Sequence, residues 1–62
     1  MRGRPRQAIS ILNREIDKMG FREDYNLIHG MIIMANLLNK ITDVERMEFE
    51  AKLNDKYEEL AY

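Results

Sequence analysis

The stretch Tyr25-Asn26-Leu27-Ile28-His29-Gly30-Met31-Ile32-Ile33-Met34-Ala35-Asn36-Leu37-Leu38-Asn39-Lys40 decides the fold. Its apolar side chains are Tyr25, Leu27, Ile28, Met31, Ile32, Ile33, Met34, Ala35, Leu37 and Leu38. At about 100° per residue they surround most of a helix instead of lining one stripe. Met31 to Met34 alone would also suit a strand, but the length of the run and its Met, Ala and Leu content favour a helix over about 25–40. A helix that is apolar nearly all round is buried nearly all round. Two short neighbours in a chain of 62 residues cannot hide all of it, so the sequence predicts cover from a second chain.

Upstream, Ile9, Leu12, Ile16 and Met19 recur at steps of three and four, one face of a helix over about 5–19. Pro5 suits its opening turn, and Gly20 is placed to end it in a left-handed cap, with Lys18 near the negative end of the dipole. Phe21 to Asp24 then form a connector, with Asp24 as the expected N-cap of the second helix. Downstream, Thr42-Asp43-Val44-Glu45 has the spacing of a capping box. It opens a third helix over about 43–60 whose apolar residues fall on two sides. Val44, Met47 and Ala51 form one side, expected to pack on the hairpin. Phe49, Leu53, Tyr57 and Leu60 form the other, expected to be spare. The fold class is therefore all-α, three short helices in an oligomerising bundle, with a basic arm at 1–5 and one helical domain at 6–62. The expected interface comprises Ile28, Met31, Ile32, Met34, Leu38, Phe49, Leu53, Tyr57 and Leu60.

Size makes the same demand. A chain this short buries only roughly 60% of the surface its unfolded form exposes. Disulfides, a metal or association are the usual remedies. There is no cysteine and one histidine, which leaves association or an unusually well-packed bundle. Hydrophobic residues at 45% and a net charge of -1 place the chain outside the disordered class. The balance hides a gradient. Arg2, Arg4, Arg6, Arg14 and Lys18 outweigh Glu15 and Asp17 in the first 18 residues. From residue 43 onward, seven acids face Arg46, Lys52 and Lys56. Such a head suits a polyanion, or the acidic tail of another copy.

The head also carries the one motif with a mechanism. Arg2-Gly3-Arg4-Pro5 resembles the core of the AT-hook family, with Met1 where that family usually has another proline. The resemblance covers four or five residues and implies an extended segment along the minor groove of A·T-rich DNA. Glycine allows close approach to the groove floor, and the arginines enter its negative potential. Arg2, Gly3, Arg4, Arg6, Arg14 and Lys18 are the candidate nucleic-acid residues, several copies being presented by an oligomer. A solvated basic terminus needing no function is the plainer reading of the same residues. The second functional class is a protein-binding regulator, an inhibitor or adaptor of a larger partner, with no nucleic-acid contact.

Catalytic chemistry finds no footing. Ser10 is a small helix residue, Thr42 is committed to a cap, and His29 has Tyr25 and Ile33, not an acid, four residues away. Gly3, Gly20 and Gly30 are isolated and cradle no phosphate. No catalytic residue, metal, cofactor or small-molecule substrate is expected. The methionines at 19, 31, 34 and 47 suit either core packing or an adaptable surface. No stretch approaches the ~20 apolar residues of a membrane span, and the expected location is cytoplasmic.

Overall fold

A computed structural model describes residues 7–60. The chain forms three helices: α1 (Gln7–Lys18), α2 (Asp24–Leu37) and α3 (Asp43–Glu59). All three pack against one another, α2 and α3 most extensively. The all-helical, three-helix reading holds. The proposed arm at 1–5 and the Pro5 helix start lie outside the described residues.

Local chemistry sets the boundaries. Thr42 Oγ1 accepts from the Glu45 amide at 3.1 Å, while the Thr42 amide donates to Glu45 Oε1 at 2.8 Å. The capping box that opens α3 is therefore complete. Three other ends depart from the sequence reading. Asp24 lies inside α2, and the preceding Glu23 has helical backbone angles and makes no side-chain cap bond. A tight turn supplies the entry instead, with the Asp24 amide donating to the Phe21 carbonyl at 3.1 Å and the Tyr25 amide to the Arg22 carbonyl at 3.0 Å. Gly20 does not adopt a left-handed conformation; α1 closes one residue earlier, where the Met19 amide donates to the Ile16 carbonyl at 3.2 Å.

The second helix ends at Leu37, not Lys40. Asn39 takes a positive φ of 60°. Its amide donates to the Asn36 carbonyl at 3.0 Å, and the Lys40 amide reaches back to the Ala35 carbonyl at 2.8 Å. These are the two bonds of a Schellman cap. Asparagine tolerates the left-handed region better than other residues with a Cβ. The stop lies in Asn39, a signal the apolar run conceals.

The core is Leu12, Ile16 and Met19 from the α1 side, Ile28 and Ile32 of α2, Ile41 of the second connector, and Phe49 and Leu53 of α3. The α1 face is as the spacing predicts, with Ile9 packed at its margin. On α3 the two sides are exchanged. Phe49 and Leu53 are buried within the chain, with Tyr57 and Leu60 packed beside them. Val44 and Met47 are exposed. The longer, bulkier stripe removes more apolar surface from water when it faces the hairpin, so it takes the core and the shorter trio is left outside.

Candidate interaction surface

Burial of Ile28 and Ile32 fixes the rotation of α2 and turns a second apolar side outward. Leu27, Met34 and Leu38 are 68%, 55% and 59% exposed, and Met31 is half-buried between them. Their spacing of four, three and four residues sets Leu27, Met31, Met34 and Leu38 in one seam, the d and a positions of successive heptads. With Ala8 and Ile11 of α1 they line an open groove of about 540 Å³. Asn26 and Lys40 are its polar residues. Gly30 also lines the groove, and a Cβ built there would meet nothing within 4 Å.

The opposite side of α2 meets α3 through polar groups. Tyr25 stacks on His29 with ring centroids 5.7 Å apart and meets Tyr57 edge to face at 4.9 Å. The Arg22 guanidinium lies 4.1 Å from the Tyr57 ring centroid. His29 Nε2 is 3.5 Å from Glu50 Oε2, which also accepts from Arg46 Nη1 at 3.0 Å. The acid missing from the local sequence around His29 is thus supplied by α3. This cluster is partly exposed and ties the two helices together across their polar side. Among the described residues no group of three or more His, Asp or Glu is gathered to hold a metal ion.

The sequence-predicted residues divide into three sets. Ile28, Ile32, Phe49 and Leu53 fill the core of one chain, which corrects their assignment to an interface between chains. Met31, Tyr57 and Leu60 are half-buried against that core, and Met34 and Leu38 are exposed. Leu27, outside the expected interface, belongs with the last pair; its heptad spacing to Met31, Met34 and Leu38 is the sequence signal for it. Leu37, Val44, Met47 and Phe21 are further exposed apolar residues. Of the basic set, Arg2, Gly3, Arg4 and Arg6 lie outside the described residues. Arg14 and Lys18 share one exposed side of α1, four residues apart. Lys18 Nζ lies 3.4 Å from Glu15 Oε2. No described helix is long and apolar enough to cross a membrane. Comparison with protein-family models, with curated proteins and with solved structures gives no match.

Proposed function

We propose that this chain is a small non-enzymatic helical module that self-associates and, as an oligomer, presents several copies of its basic N-terminal segment to nucleic acid. The observation carrying the first half is the α2 seam, where three large apolar side chains stand more than half exposed beside a groove of about 540 Å³. A contiguous apolar surface with polar edges favours association over exposure to water. The second half rests on Arg2-Gly3-Arg4-Pro5 and the charge gradient behind it. Each arm alone binds weakly, and an oligomer raises the effective concentration of the others.

The acidic character of the segment from residue 43 onward opposes phosphate contact by α3, so the arm with Arg14 and Lys18 of α1 must carry the binding. The test measures binding to A·T-rich and G·C-rich duplexes at two salt concentrations, with Arg2→Ala/Arg4→Ala alongside. Preference for A·T-rich duplex, weakened by salt and lost in the double variant, supports the reading. Equal binding by wild type and variant removes the arm. The groove itself favours a second reading, a regulator that docks an amphipathic helix of a different protein. A chain that stays monomeric and ignores both duplexes selects it.

A further inference from the structure

The seam has a property that selects its occupant. Read forward it is Leu27, Met31, Met34, Leu38, and read backward it is the same residue types at the same spacing. A surface that reads alike in both directions matches itself under a two-fold rotation perpendicular to the helix. We infer that the groove is filled by α2 of a second copy, running antiparallel, with Leu27 against the partner's Leu38 and Met31 against the partner's Met34. This rests on the self-association reading and adds to it the face, the orientation and the register.

Charge selects the same arrangement. The groove carries Lys40 at the C-terminal end of α2, while Glu23 and Asp24 stand at the N-terminal end. Antiparallel pairing brings Lys40 to the partner's Glu23 and Asp24 at both ends of the interface. Parallel pairing would set lysine against lysine and acid against acid. The helix dipoles also oppose each other only in the antiparallel case. Heptad geometry agrees, since a and d positions form mixed layers when two helices run in opposite directions.

Two otherwise unexplained residues find a place. Gly30 and Leu37 are seven residues apart and so lie on one flank of the seam. Leu37 is exposed, and the space above Gly30 is open. In the antiparallel pair each Leu37 passes over the partner's Gly30, a large residue against an absent side chain. Ala8 and Ile11 of α1 close the groove from the other wall, giving a four-helix layer with α2 and its copy at the centre.

The chain has no cysteine, so introduced thiols report the pairing without interference. Leu27→Cys and Leu38→Cys change exposed positions and leave the core intact. The expected result is a disulfide-linked dimer when the two variants are mixed and oxidised, and little when either is oxidised alone. Two Leu27 positions in the antiparallel pair lie roughly 16 Å apart along the axis, too far for a disulfide, which needs Cα atoms within about 7 Å. Met34→Lys is expected to raise the dimer dissociation constant at least ~30-fold in sedimentation equilibrium, with helicity retained. A dimer that cross-links through Leu27→Cys alone overturns the antiparallel register while leaving self-association standing. So does a dimer indifferent to Met34→Lys, which would place the interface elsewhere. A chain monomeric at several hundred micromolar overturns both the pairing and self-association, and leaves the groove to another protein's helix.

Discussion

Tyr25 and Tyr57 meet edge to face, ring centroids 4.9 Å apart, tying the first turn of α2 to the last turns of α3. Tyr25 Oη also donates to Asn54 Oδ1 at 2.9 Å. Tyr57 packs against the core, whereas the Tyr25 hydrogen bond is exposed to water. Ring packing should therefore outweigh the hydroxyl. Tyr57→Ala is expected to lower stability by about 2 kcal/mol and Tyr25→Phe by under ~1 kcal/mol in urea denaturation. The reverse order would mean that the hydrogen bond, not the rings, holds the two helices.

Asn39 sits at a φ of 60° where α2 stops. Asn39→Gly should be neutral or slightly stabilising, because glycine meets no Cβ penalty there. Asn39→Val should cost about 1–2 kcal/mol. Thermal melts of the pair against wild type test it. Equal melting temperatures would mean that the turn rearranges around the valine.

Thr42 and Ile32 probe opposite extremes of burial. The Thr42 cap is exposed and each of its bonds is replaceable by water. Thr42→Ala is expected to cost about 1 kcal/mol. Ile32 is fully buried, and Ile32→Asp puts an unpaired charge in the core, so cooperative folding should be lost. Circular dichroism during urea titration distinguishes the two. A folded Ile32→Asp chain would contradict the packing of α2.

Gly30 lies in the middle of α2, where a Cβ would touch nothing within the chain. Gly30→Ala should raise the stability of the dilute monomer by roughly 0.5–1 kcal/mol. The same change is expected to weaken self-association, since it fills space assigned to the partner's Leu37. A variant that gains stability and associates as before would separate Gly30 from the interface.

Much of this architecture was legible in order. The capping box at Thr42 and Glu45 is a local device, complete within four residues, and the α1 face from Ile9 to Met19 follows from spacing alone. The excess of apolar surface on α2 was legible too, as composition around a cylinder. The stop at Asn39 was obscured because the apolar run reaches Leu38, while the cap depends on one residue's backbone angle. The candidate seam is half legible: Met31, Met34 and Leu38 belong to the expected interface, while Leu27 joins it only in the folded chain.

The sequence by itself determined three helices, their approximate lengths, the capping box before α3 and a surplus of apolar side chains. Those properties depend on nearest neighbours and on helical periodicity, which any reader of the chain can lay out. The tertiary structure alone decided which apolar sides face inward. Both α2 and α3 carry two candidate faces, and periodicity assigns them equal geometry. Packing breaks the tie, because each helix turns inward whichever face fits the other two. Phe49 and Leu53 thereby join Ile28 and Ile32 in the core, and Leu27, Met34 and Leu38 are left exposed along the groove. Likewise, His29 beside Glu50 and Lys52 beside Asn13 join residues from different helices, a proximity that exists only once the helices pack.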